Sequence, residues 1–484
     1  MEQFVGTLND ILWSTPMIVF CLGVGLLFSI MTRFLQVRHI KDMVTLMFKG
    51  KSSEAGVSSF QALSIALSGR VGTGNIAGTA TAIAFGGPGA VFWMWAIAFI
   101  GAGSAFVEST LAQIYKVKQD GQYRGGPAYY IEKGIGWKWY GVLFAIAAVV
   151  AMSILMPGVQ SNSIASGLEN AFGINPTITG IGIVVLLALI IFGGVKRIAR
   201  VAQLVVPFMA IGYVLVALII VLMNIEQLPG VFALIFKSAF AADSMFGGII
   251  GMAISWGVKR GIYSNEAGQG TGPHPAAAAE VSHPAKQGLV QAFSVYIDTL
   301  LVCSATAFMI LFTGMYNVQG PDGNFIVNNL GDVEAGPAYT QAAVESVLPG
   351  FGAGFVAISL FFFAFTTIMA YYYIAETNIA YLTRGRNSKW PMFGLKIVLL
   401  AAVMYGCVKT AKVAWSLGDV GLGLMVWLNL IAIVILYKPA MKALKDYEEQ
   451  KRQGLDPVFD SEKLGIKNAD YWVKEYKRDQ EQVS

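Results

Sequence analysis

Long stretches of the chain are almost uninterrupted runs of apolar residues, separated by shorter polar segments. A helix needs about 20 apolar residues to cross a hydrocarbon core of about 30 Å. Runs of this kind predict eleven spans, near 14–36, 60–85, 89–115, 140–170, 177–194, 200–223, 246–280, 287–315, 350–382, 393–411 and 416–437. A transmembrane β-barrel is excluded, because its strands would alternate apolar and polar positions. Pro157-Gly158 predicts a tilt or kink in the fourth span, and glycines interrupt the seventh. The expected fold class is an all-α polytopic membrane protein.

The polar segments orient these spans, since Lys and Arg concentrate on the cytoplasmic side. Arg33, Arg38, Lys41, Lys49 and Lys51 follow the first span, and Lys116, Lys118, Arg124, Lys133 and Lys138 follow the third. Lys196, Arg197 and Arg200 follow the fifth, Lys286 the seventh, and Arg384, Arg386 and Lys389 the ninth. Segments 171–176 and 316–349 carry no basic residue. This alternation puts the N-terminus outside and the C-terminus inside, which demands an odd number of spans. No Lys or Arg precedes the first run, so it reads as a retained helix and not as a signal peptide. Residues 438–484 balance ten Lys/Arg against ten Asp/Glu and read as a solvated cytoplasmic tail, with a helix plausible as far as Gln453.

Composition agrees with a membrane protein. Of 484 residues, 55% are hydrophobic and 13% charged, about half the charge of a soluble domain. A soluble enzyme, a disordered scaffold and a nucleic-acid binder are poor readings on that balance. Cys21, Cys303 and Cys407 all lie in apolar runs, with neither a disulfide framework nor a CxxC pair.

Glycine placement points to chemistry. With the first span set aside, ten remain, and they divide five plus five. The first member of each five is broken by glycine at mid-membrane: Gly69-Arg70-Val71-Gly72-Thr73-Gly74-Asn75 in one, and Ser255-Trp256-Gly257 through Gly261 to Ser264-Asn265-Glu266-Ala267-Gly268 in the other. An odd number of spans per unit inverts the second unit. Broken helices at matching positions of inverted repeats mark the binding site of a secondary transporter. The corresponding division is 1–437 for the transmembrane domain, with 1–59 as N-terminal helix and loop, 60–223 as the first repeat and 246–437 as the second, then 438–484 as the tail. An unwound stretch frees amides that attract a carboxylate and carbonyls that hold Na⁺ or an ammonium. Two facing breaks therefore suit a zwitterion carried with a cation.

The segments SGRVGTGNIAG, GGPGAVFWMWAIAFIG, RGGPAYYI, PGVQSNSIA, KRGIYSNEAGQG and FAFTTIMAYYYIAE together closely resemble the alanine/glycine:cation symporter family of bacteria and archaea. The resemblance covers the chain to about residue 437. It implies the inverted-repeat fold of the bacterial leucine transporter with one extra N-terminal helix, in the plasma membrane. It also implies Na⁺ as the co-transported ion, no organic cofactor, and a small amino acid as substrate. The lipid bilayer is the expected surrounding and no nucleic acid is expected as partner. A monomer suffices for such a carrier, and the oligomeric state is open.

Carried over residue by residue, the resemblance puts the amides of Thr73 and Gly74 at the substrate carboxylate, with Asn75 and Gln160 nearby. A Na⁺ site would take the carbonyls of Ser68 and Val71 and the hydroxyls of Thr366 and Thr367. The bland alternative for each threonine is a bond to its own helix four residues back. Met252, Ser255, Trp256 and Gly257 are candidates for the pocket wall and for carbonyls facing the ammonium. Tyr371 stands where relatives with small substrates have tryptophan, which widens the expected range towards glutamine or serine. Arg70 is costly in a membrane unless paired, and Glu108, Asp298 and Glu376 are the candidate partners. Lys259 and Arg260 read as charges of the cytoplasmic side, and Glu266 as a gate or a helix cap.

Other classes fit less well. There is no HExxH and no G-x-S-x-G elbow for an intramembrane enzyme, and a channel would repeat one filter where this chain holds two different breaks. A proton-coupled symporter or an exchanger of the same fold remains an alternative.

Overall fold

The computed structural model describes residues 2–50, 52–53, 55–240 and 246–476. Lys51, counted above among the basic residues, and residues 477–484 of the tail lie outside them. Among the described residues eight helices are long and apolar enough to cross a membrane. They are α1 (Gln3–Met31), α4 (Gly89–Ile114), α5 (Lys138–Phe172), α7 (Lys196–Met223), α11 (Pro284–Thr313), α13 (Gly352–Leu382), α14 (Lys389–Val408) and α15 (Ala411–Arg452). A shorter apolar helix, α6 (Pro176–Ile191), occupies the place of the fifth predicted span. The second and seventh predicted spans are each in two pieces: α2 (Ser59–Arg70) with α3 (Thr79–Gly86), and α9 (Ile250–Asn265) with α10 (Pro273–Ala278). Further helices lie in connections that the apolar pattern leaves as loops, among them α8 (Leu228–Ala239), α12 (Pro337–Val347) and a short one over Ile40–Met47.

Local chemistry explains the irregularities. In α5 the backbone widens over Ala151–Leu155, and the amide of Met156 reaches the Ala151 carbonyl at 2.9 Å, five residues back. Pro157 follows; it has no amide to offer and its ring disturbs the turn before it. This widened turn stands where the sequence predicts a tilt or kink. The connections also hold two short antiparallel hairpins, which an all-α reading did not include: β1 (Val117–Gln119) with β2 (Gln122–Arg124), and β3 (Asn317–Gln319) with β4 (Phe325–Asn328). The first turns at Asp120-Gly121, both at positive φ (54° and 73°), as a two-residue primed turn requires.

No element boundary falls at residue 437: α15 runs on to Arg452, in keeping with the helix expected as far as Gln453. Its far half pairs with the basic segment after α1: Arg38 Nη2 lies 2.8 Å from Glu448 and Lys451 Nζ 2.9 Å from Asp42. The chain beyond is not the solvated extension expected. Phe459, Tyr471 and Trp472 are buried, Trp472 to 1% exposure.

Two helices approach closely where glycine faces glycine. At the crossing of α5 and α14, a Cβ placed on Gly406 would run into the backbone of Gly158 and the Ser161 hydroxyl. Backbone cannot move aside as a flexible side chain can. We expect Gly406→Ala to destabilise the protein by about 1–3 kcal/mol, the usual cost of overpacking. The check is a lower melting temperature in detergent at unchanged membrane insertion.

Candidate functional site

Helix α2 ends at Arg70, and Val71 already leaves helical geometry at ψ 87°. The amides that would have continued the helix turn to side chains. Gly72 N donates to Asn75 Oδ1 at 2.7 Å, and Thr73 N donates to Gln160 Oε1 at 3.1 Å. Gln160 comes from α5, just past its kink. Its Nε2 donates to the hydroxyls of Tyr263 (3.4 Å, on α9) and Tyr371 (3.3 Å, on α13). The first break, the kink of α5, α9 and α13 thus meet around one carboxamide. All of these side chains are buried. A Cβ on Gly72 would collide with Thr367 Oγ1 and lie 3.2 Å from Gln160 Oε1, and a Cβ on Gly74 would lie 3.0 Å from the Ser264 backbone.

The second break is closed from another helix. Glu266 caps α9 in the left-handed region at φ 56°, and Gly268 and Gly270 follow at φ 81° and 85°. Glu108 of α4 accepts the amides of Gly268 and Gly270, both at 3.1 Å. Asn429 of α15 donates to Glu108 at 2.6 Å and to the Gly268 carbonyl at 2.9 Å. Asp298 joins the two breaks, accepting Asn75 Nδ2 at 2.6 Å and Ser264 Oγ at 3.1 Å.

The two candidate threonines face differently. Thr367 Oγ1 donates to the Ser68 carbonyl at 2.9 Å across the α13–α2 contact, and also contacts its own Phe363 carbonyl. Thr366 Oγ1 turns to the Phe362 and Phe363 carbonyls of its own helix and to the sulfur of Met209. Val71 is buried beside the break.

Arg70 and its candidate partners divide. Arg70 Nη1 donates to the Gln291 carbonyl at 3.1 Å and to Ser294, in the electrostatic field of Glu266, Glu108 and Asp298. Glu376 is not part of this group: it meets Arg124 of β2 at 3.5 Å. The pairing proposed from sequence fails for Glu376 because Arg124 folds back against α13 through the first hairpin.

The remaining candidates lie to one side of the Gln160 cluster. Ser255 and Trp256 line a cavity of ≈ 870 Å³ that opens at the end carrying Asn9 and Trp13. Trp256 stacks on Phe85 with ring centroids 4.7 Å apart. The Met252 carbonyl faces Gly86, and Gly257 packs against the Ala90 carbonyl, where a Cβ would lie 2.6 Å away. Lys259 and Arg260 sit in this cavity and not at the tail end. Arg260 Nη1 is 2.8 Å and Lys259 Nζ 2.7 Å from Asp419 of α15, and the Arg260 guanidinium lies over Trp415 at 4.3 Å. This ion pair and the Tyr263–Trp415 contact at 5.0 Å separate cavity from cluster. Tyr263, Trp415 and Asp419 were not among the residues singled out from sequence. The one available signal was an aspartate within an apolar run.

Comparison with known proteins gives the arrangement its context. The sodium:alanine symporter family matches residues 1–461. The putative sodium/proton-dependent alanine carrier protein YrbD of Bacillus subtilis is 78% identical over 484 residues, all of both chains. The sodium/proton-dependent alanine carrier protein of Bacillus sp. PS3 is 60% identical over 90% of this chain and 98% of its own. The probable sodium/glutamine symporter GlnT of B. subtilis is 48% identical over 95% and 93%. Among solved structures, the manganese transporter of Eremococcus coleocola superposes at a TM-score of 0.51 with 13% identity, over 87% of this chain and 94% of that one, a likeness of fold alone. The matched family and these relatives are carriers, not enzymes, and the chain belongs to the sodium:alanine symporter family.

Proposed function

We propose that this protein carries alanine and glycine into the cell together with Na⁺, by alternating access in an eleven-span, five-plus-five inverted-repeat fold. Its N-terminus is outside and its tail in the cytoplasm. The observation that carries the reading is the first break. The amides of Gly72 and Thr73 point at carboxamide oxygens, and not at helix carbonyls. The Thr73 amide so placed binds a substrate carboxylate when Gln160 swings aside, and the Gly72 amide joins it once Asn75 also turns away. The cavity above Arg260–Asp419 is the outer approach. Ser68 and Val71 carbonyls with Thr367 supply hard oxygens for Na⁺. The names of the alanine carriers support the substrate, and that of GlnT supports glutamine as an additional one. Protons are a second reading for the coupled ion. It is favoured by the same names and by Glu266, whose Oε1 is buried without a hydrogen-bond partner. Alanine counterflow in proteoliposomes, with and without a Na⁺ gradient, tests the assignment; the reading fails if alanine does not exchange.

Three outcomes follow from the geometry. Gly72→Ala abolishes alanine uptake at normal insertion, since its Cβ takes the place of the Thr367 hydroxyl; wild-type uptake would remove the first break from the site. Thr367→Ala raises the Na⁺ concentration for half-maximal uptake by about tenfold, equivalent to 1.4 kcal/mol. Thr366→Ala changes it less, because that hydroxyl serves its own helix. A Na⁺ titration of uptake in both variants decides this. Tyr371→Trp retains alanine and glycine uptake and selectively lowers glutamine uptake, because a packed wall resists a larger ligand more than it rejects a smaller one. Side-by-side uptake of the three amino acids measures the asymmetry, and equal loss of all three would refute it.

A further inference from the structure

Beyond Arg452 the chain folds back across the end of the molecule opposite the large cavity. Lys286 Nζ lies 2.7 Å from Asp456, Phe459 N donates to the Ser282 carbonyl at 2.9 Å, and Ser282 Oγ donates to the Pro457 carbonyl at 2.8 Å. These contacts stitch residues 456–459 to the loop joining α10 to α11 and to the first turn of α11. Further on, Asn468 Nδ2 donates to the Lys133 carbonyl at 2.8 Å, and Asp470 pairs with Lys133 at 2.8 Å.

The segment ends in an aromatic cage. The Lys116 side chain is fully buried at the end of α4, its ammonium 4.4 Å from the ring centre of Tyr123, 4.5 Å from Tyr471 and 5.4 Å from Trp472. Two of the three rings belong to the tail. A desolvated cation over aromatic faces is held more firmly than an exposed one. The same ammonium donates to the Ala279 carbonyl at 3.0 Å, and Gln113 Nε2 donates to that carbonyl at 2.9 Å. Ala279 is the capping residue just past α10, where carbonyls lack partners within the helix. Trp472 Nε1 donates in turn to the Gln113 carbonyl at 2.9 Å. A continuous chain of contacts thus runs from the tail, through Lys116 and Gln113, to the end of α10.

Helix α10 closes this end. It packs with α2 and α13 around a space of only ≈ 10 Å³, lined by Ala66, Gly69, Glu266 and Ile374 among others. On the α13 side, Tyr373 Oη donates to the His274 carbonyl at 3.1 Å and Asn378 meets the His274 ring at 2.9 Å. At this contact α10, α2 and α13 leave no room for a substrate to pass between them. The tail is tied to both its end and the loop after it.

We propose that residues 453–476 form a latch that holds α10 closed, with Trp472 and Lys116 as positioning residues that set the balance between closed and open forms at this end. The proposal rests on the alternating-access reading above. Its test reads α10 by labelling and transport by alanine counterflow: absent counterflow in the intact chain defeats the transport reading, and unchanged labelling defeats the latch.

The reporter is Ala66→Cys, labelled by a membrane-impermeant maleimide added from the tail side. It is compared in the intact chain, in Trp472→Ala, in Trp472→Phe and in a chain ending at Arg452. Labelling should accelerate about fivefold or more in Trp472→Ala and in the shortened chain, in the range of ordinary coupling between sites. Trp472→Phe, which keeps a ring over Lys116, should stay near the intact rate, and alanine counterflow should persist in all four. Equal labelling in all four overturns the latch. So does faster labelling accompanied by a matching loss of counterflow, because that reports unfolding.

Discussion

Backbone that leaves a helix in apolar surroundings must still find hydrogen-bond partners, and here they come from side chains of distant helices. Asn75 and Gln160 take the amides of the first break. Glu108 and Asn429 take the groups of the second. Asp298 reaches both breaks through Asn75 and Ser264. Satisfying those orphaned groups fixes where α4, α5, α11 and α15 stand around the breaks. The same constraint explains why intramembrane carboxylates are affordable: Glu108 and Asp298 each receive several donors, and the cost of burying a charge falls when it is hydrogen-bonded.

Much of this was legible from sequence because it depends on local pattern. Long apolar runs locate the long helices. Three glycines with Thr73 and Asn75 in so few residues cannot be explained by packing and announce a break. What escaped was pairing at long range. The Arg260–Asp419 contact joins residues 159 apart, and the Glu108–Gly268 contact residues 160 apart. No periodicity records such a pairing. Arg124 likewise reaches Glu376 only because a hairpin turns at Asp120-Gly121. The tail misled for a different reason. Its equal numbers of acids and bases suggest a solvated segment, yet Phe459, Tyr471 and Trp472 bury enough apolar surface to dock it.

The two ends of the molecule are unequal. One holds a wide cavity whose floor is an ion pair beneath aromatic rings. The other is packed shut by a short half-helix held on two sides. The described residues differ most at these ends in their side chains and in the chain beyond Arg452, which docks at one end alone. A carrier that alternates between two such states needs the energies of the two closures to be close, and each closure here is made of a few polar contacts beside aromatic packing. Contacts of that kind can be exchanged one at a time, whereas a fully interdigitated apolar seal would have to part all at once.

The carboxamide of Gln160 also bears on what happens when no cargo is aboard. An empty anion site with bare amides would invite water and small ions into the middle of the protein. On the proposed reading, Gln160 Oε1 on the Thr73 amide, with its Nε2 on Tyr263 and Tyr371, meets the demand of that site from within the protein. A carrier built in this way would be insulated against leak between cargoes. The cost of that insulation falls on affinity, because an arriving carboxylate must exchange one good hydrogen bond for another and gains only the difference.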